Sequence, residues 1–97
     1  MATLKAAGDF VALVRLLQHD DTAVKTAAAV ALRSLAYNND DNQVLIAEAG
    51  AVAPLVELLR RGDAAGKTAA GALKKLAFNN DANVVAIEAV GGGDALL

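Results

Sequence analysis

Apolar side chains recur at spacings of three and four along most of this chain, the period of an amphipathic helix rather than of a strand. From about Val52 to Arg61 the stripe is Leu55, Leu58 and Leu59, and from Asp63 to Ala77 it is Ala69, Ala72, Leu73 and Leu76. A shorter segment, Asp41 to Ala49, comes before them. Asn38-Asn39-Asp40 offers it side-chain oxygens that can cap free helix amides. Gly50 follows it, the residue type that most readily takes the left-handed turn after a helix. Pro54 falls in the first turn of the next segment, where no intrahelical amide bond is lost. The pattern predicts three helices per unit. An earlier copy has corresponding elements at about Asp9 to Gln18 and Thr22 to Ala36, behind a first helix cut to a stub, Ala2 to Ala7.

Laying the sequence on itself shows how closely the two units correspond. Thr22 to Gly50 matches Asp63 to Gly91 at an offset of 41, with 14 of 29 positions identical. Gly8 to Leu17 matches Gly50 to Leu59 at an offset of 42, placing Leu13-Val14 on Leu55-Val56 and Leu16-Leu17 on Leu58-Leu59. The one-residue change falls in a polar turn, His19-Asp20-Asp21 against Arg61-Gly62-Asp63, where insertions are tolerated. A fixed period of this length is the signature of a solenoid, in which each unit buries its faces against its neighbours.

Composition sharpens the picture. Apolar residues make up 56% of the chain but aromatics only 3%, so the apolar content is mainly Ala, Val and Leu, which suits helices packed at close distance. A net charge of −2 with interspersed signs leaves no strongly basic face for nucleic acid. Cysteine is absent, which excludes disulfides and thiolate metal sites. No uncharged run approaches the ~20 residues needed to cross a bilayer, and the amino-terminal residues do not read as a signal peptide.

The phrase Ile46-Ala47-Glu48-Ala49-Gly50-Ala51-Val52, leading into Pro54-Leu55-Val56-Glu57-Leu58-Leu59 and then Ala69-Ala70-Gly71-Ala72-Leu73-Lys74-Lys75-Leu76-Ala77, resembles the armadillo repeat. HEAT repeats share the rough period but have two helices and lack this glycine turn; tetratricopeptide and ankyrin periods are shorter. The resemblance covers nearly the whole chain. It implies an all-α, right-handed superhelical solenoid of three-helix repeats. As one domain, residues 1–7 would be a partial first helix and 8–49 repeat one with the next first helix. Residues 50–91 would be repeat two with the next first helix, and 92–97 the start of a further helix. The resemblance also implies a cytoplasmic or nuclear scaffold or adaptor with protein or peptide partners, and no membrane or nucleic-acid role.

About two repeats are present, fewer than the three that stable stacking normally requires, and neither end reads as a polar capping helix. We therefore expect self-association, either by end-to-end stacking, by exchange of terminal helices, or as a symmetric dimer through one end. A structural self-assembly unit is accordingly the second functional expectation. An engineered array is a third, disfavoured because the two copies diverge at half their positions.

In an armadillo solenoid the third helices line a concave groove. Helical spacing aims Thr26, Val30, Arg33, Ser34 and Tyr37 there, with Lys67, Gly71, Lys74, Lys75 and Phe78 as equivalents. Family members that grip extended peptides place a Trp on this helix and an Asn one turn later. Here those positions hold Val30 or Gly71 and Ser34 or Lys75. Both signature residues are missing, so the nuclear-localisation-signal binding of the importin-alpha branch does not carry over. The candidate groove residues are Arg33, Ser34, Tyr37, Lys67, Lys74, Lys75 and Phe78, a set suited to an acidic, aromatic-containing peptide. The alternative is a solvated helix face in which Tyr37 and Phe78 plug the turn beneath the next module.

No catalytic, metal or cofactor site is expected. His19, the sole histidine, lies in a turn beside Asp20 and Asp21, and Ser34, the sole serine, lies mid-helix with no histidine near it in sequence. Asp40-Asp41-Asn42 lacks the spaced carboxylates and closing Glu of a calcium loop. Gly91-Gly92-Gly93 has neither the preceding strand nor the following Lys-Ser/Thr of a phosphate loop.

Overall fold

The computed structural model describes residues 4–91, and those residues are all-helical. The helices are α1 (Leu4–Leu17), α2 (Thr22–Ala36), α3 (Asp40–Glu48), α4 (Val52–Leu59), α5 (Ala64–Ala77) and α6 (Asp81–Ala89). The predicted elements therefore form, α2 with the expected bounds and the others with ends shifted by at most five residues. One differs in kind. Where a break at Gly8 was expected, α1 runs through it as a single helix. At Gly50 and Gly91 the backbone turns with φ of +95° and +80°, and the helix ahead of each turn is fixed by burial of Ile46 or Ile87. Among the described residues no layer lies behind Gly8 to hold a separate first helix, so helical hydrogen bonding continues. Ala2, Thr3 and the expected further helix at 92–97 fall outside the described residues.

At Gly50 the chain turns α4 through 86° relative to α3. The Gly50 amide donates to the Ala47 carbonyl at 3.0 Å and the Ala51 amide to Ile46 at 3.4 Å. This pair of bonds satisfies the last free carbonyls of α3, and it needs a positive φ between them.

The core is one continuous cluster. α2 packs along α5, α1 on α2 and α4 on α5, with α3 and α6 closing the edge. Leu32, Ile46, Leu55, Leu73 and Leu76 are fully buried, framed by Ala28, Ala29, Ala69 and Ala72. The alanines explain the composition: short side chains let α2 and α5 approach closely. Gly66 carries the same logic furthest. A Cβ there would stand 2.9 Å from the Leu59 carbonyl oxygen and 3.2 Å from that of Leu58, so only glycine lets α5 begin this close to the end of α4. No single helix among the described residues is long and apolar enough to cross a membrane.

Polar residues do their work at helix ends. The three residues Asn38-Asn39-Asp40 divide one task. Asn38 takes a left-handed backbone (φ 50°), a conformation asparagine tolerates better than most residues. Asn39 caps α3 by accepting from the Asn42 amide at 2.9 Å, and Asp40 opens the helix near its positive end. Asn79, Asn80 and Asp81 repeat this arrangement one unit later. Asn42 and Asn83 then reach back seven residues, donating to the Leu35 and Leu76 carbonyls at 2.8 Å in each case. Asn83 also donates to the Gln43 carbonyl at 3.1 Å, tying α6 to α3 across the two layers. At the start of α5, Asp63 accepts from the Gly66 amide at 3.0 Å. That bond, with the Arg61 guanidinium at 3.2 Å as a lesser cause, holds its carboxyl below the usual 3.8.

Three outcomes follow. Asn83→Ala removes two buried hydrogen bonds, to the Leu76 and Gln43 carbonyls, and should cost about 2 kcal/mol in urea unfolding, against about 1 kcal/mol for Asn42→Ala, which removes one exposed bond. Leu76→Ala should cost about 3 kcal/mol and its repeat counterpart Leu35→Ala under about 1 kcal/mol, because only Leu76 lies in the core. Asp63 is a carboxylate with a lowered pKa, so its contribution is present above its ordinary pKa and fades as pH falls through the folded value. The gap in melting temperature between the wild type and Asp63→Asn should therefore narrow from pH 7 toward pH 3.

Candidate functional site

The carboxyl-terminal halves of α2 and α5 lie side by side and bring four of the candidate residues to one surface depression. It is lined by Val30, Arg33, Ser34, Tyr37 and Lys75, with no carboxylate among them. Helical spacing explains the grouping: Val30, Arg33, Ser34 and Tyr37 stand at intervals of three and four on one face. Lys75 reaches across from the neighbouring layer, its ammonium 5.1 Å from the centroid of the Tyr37 ring, within cation–π range. Gly71 makes room for this crossing: Arg33 lies over it, and a Cβ at Gly71 would touch the Arg33 Cδ at 3.4 Å.

Phe78 joins through an adjoining depression formed with Tyr37, Asn38, Gln43 and Lys75. The two aromatic side chains are 59% and 61% exposed. They stand in the open because the backbone at each, the cap residue of its helix, has turned extended, with ψ of 123° at Tyr37 and 116° at Phe78. Lys67 and Lys74 lie on α5, exposed, and line neither depression.

Asn38 and Gln43 are not among the groove residues expected from the sequence. Asn38 is expected as a cap and recurs as Asn79; Gln43 corresponds to Val84 and carries no signal. Gln43 is buried. Its amide nitrogen donates to the Ala36 carbonyl at 3.2 Å, while its Oε1 has no protein donor. His19 has a local role: its Nδ1 accepts from the Asp21 amide at 3.0 Å, and Asp21 in turn caps α2 by accepting from the Ala23 amide at 2.8 Å.

Residues 11–37, which hold four of the five residues lining the first depression, match the family model described as Armadillo/beta-catenin-like repeat. One armadillo-like repeat is thus matched directly, and the correspondence of 22–50 with 63–91 is consistent with about two. The chain is 40% identical to human catenin delta-2 over 62 residues, which are 62% of this chain and 5% of that protein, and the mouse catenin delta-2 matches equally. It is 49% identical to U-box domain-containing protein 14 of Arabidopsis thaliana over 53 residues, 55% of this chain and 8% of that protein. No solved structure matches it significantly. The chain thus spans a small part of the length of the curated relatives it matches.

Proposed function

We propose that this chain is a protein-interaction module, without catalysis, that presents the α2–α5 face to an extended acidic segment of a partner protein. The observation that carries the reading is the depression of Val30, Arg33, Ser34, Tyr37 and Lys75, where two cations meet an open aromatic ring and no carboxylate intervenes. An acidic side chain would pair with Arg33, whose guanidinium can hold a carboxylate by two parallel bonds. An aromatic or aliphatic side chain would pack beside Tyr37 and Phe78. The missing Trp and Asn make this a different grip from that of peptide-binding family members with both signature residues. Kinship with catenin delta-2 and with a U-box protein supports an intracellular setting, cytoplasmic or nuclear, and a scaffold or adaptor role.

A second reading is a self-assembly unit. It is favoured by exposed apolar side chains on α1 and α2, chiefly Leu16 beside a cleft lined by Leu13, Ala23, Val24, Ala27 and Ala28.

The first reading is tested by fluorescence anisotropy with a panel of labelled acidic peptides with and without Tyr or Phe, each against a basic control. Binding should prefer the acidic aromatic peptides and weaken with salt. Lys75→Glu and Arg33→Glu should each weaken it at least tenfold, about 1.4 kcal/mol, whereas Lys74→Glu should change it by less than about threefold. Equal loss from Lys74→Glu would mean that general charge, not this depression, attracts the peptide.

A further inference from the structure

The two repeats are buried unequally, and the differences sort onto two faces. On the first face, Leu16 is 42% exposed where its counterpart Leu58 is 3%, and Leu35 is 38% exposed where Leu76 is fully buried. Leu13 and Val24 are half-buried where Leu55 and Ala65 are buried. What differs between the settings is the neighbouring layer. α1 and α2 stand against α4 and α5, and among the described residues no layer stands on the outer side of α1 and α2. On the second face the inequality reverses: Ala29, Ala36 and Gln43 are buried, and their counterparts Ala70, Ala77 and Val84 are half-buried.

The first face is therefore the repeat-one version of the surface that repeat two turns toward repeat one. The second face is the repeat-two version of the surface that repeat one offers in return. Among the described residues, both halves of the internal interface recur on opposite sides of the pair of repeats. The cleft on the first face is lined by Leu13, Leu16, Ala23, Val24, Ala27 and Ala28, with no charged residue.

We propose that a second copy of this chain occupies the first face with its second face. Copies then stack head to tail in the register of the internal repeats, α5 of one copy lying on α2 of the next. The inference rests on the self-assembly reading above and gives it a specific contact. Continuity with the internal interface selects the occupant, since the surface that already fits the α4–α5 face recurs on α5 and α6. Because the contact joins unlike faces, it does not close into a dimer, and chains of copies grow with concentration.

Sedimentation velocity on the 97-residue chain, from micromolar to millimolar, should show a mean mass that climbs without a plateau at the dimer. Leu16→Glu blocks the first face and Ala70→Glu the second, both at positions already partly exposed in a single copy. Each variant alone should remain at the monomer mass of 9.8 kDa. Their equimolar mixture should form a particle of twice that mass and no larger, since only one productive pair of faces remains. Val24→Glu and Val84→Glu form a second pair on the same faces, used if circular dichroism shows that a first-pair variant has lost helix. Dimers that persist in Ala70→Glu alone and vanish in Leu16→Glu would mean pairing of like faces and would overturn the head-to-tail stack while leaving self-assembly intact. A mixture that stays monomeric while the wild type associates would do the same. A wild-type chain monomeric at every concentration would remove both readings.

Discussion

Everything in this molecule depends on the packing of α2 along α5. A three-helix armadillo layer is only about one helix thick on each side of its core, so its flat faces cannot be covered from within. Leu58 and Leu76 are buried while their counterparts Leu16 and Leu35 are exposed, because only the former meet a neighbouring layer. Alanine at the crossing positions makes the contact close, and glycine at position 66 lets α5 start close to the end of α4. Each fully buried leucine contributes about 2 kcal/mol relative to exposure. The shared interface therefore adds burial that neither unit supplies alone.

Close packing creates a polar problem at the helix ends, where the last carbonyls of α2 and α5 lack partners within the helix. The chain solves it with short amides. Asn42 and Asn83 serve the Leu35 and Leu76 carbonyls, and Gln43 serves Ala36. Asn83 adds a bond to the other layer, so the same residue that finishes one helix also fixes the spacing between repeats. These amides belong to the scaffold. The proposed recognition surface draws on groups the scaffold does not use for capping: Arg33, Lys75, Tyr37 and Phe78. The cations are not free of structural duty either, since Arg33, Lys74 and Lys75 sit in the last turns of their helices, where positive charge is favoured. The turn that ends each helix is also what swings its aromatic cap residue into the open, so the aromatic component of the site is a by-product of helix termination.

The unequal burial of the two repeats connects scaffold and function. Counterpart residues of nearly the same chemistry end up in the core in one repeat and at the surface in the other, as Leu76 and Leu35 do. A repeat written for burial on both faces carries its adhesive character wherever it is left uncovered. The same physics that holds α2 to α5 therefore bears on what the ends of the array will bind.

The sequence by itself determined the helices, their order, the period and the resemblance to armadillo repeats. Those features are local: spacing of apolar residues, caps at Asn39 and Asn80, and a left-handed turn at Gly50 that recurs one period later. It also placed Val30, Arg33, Ser34 and Tyr37 on one face by helical spacing alone, and they line one depression. Only the tertiary structure decided that Lys75 crosses to Tyr37 while Lys67 and Lys74 stay apart, that the aromatics stand open, and that α1 runs through Gly8. Each of these depends on which layer lies beside which, and a period in the sequence records that layers repeat without recording where one has a neighbour and where it has none.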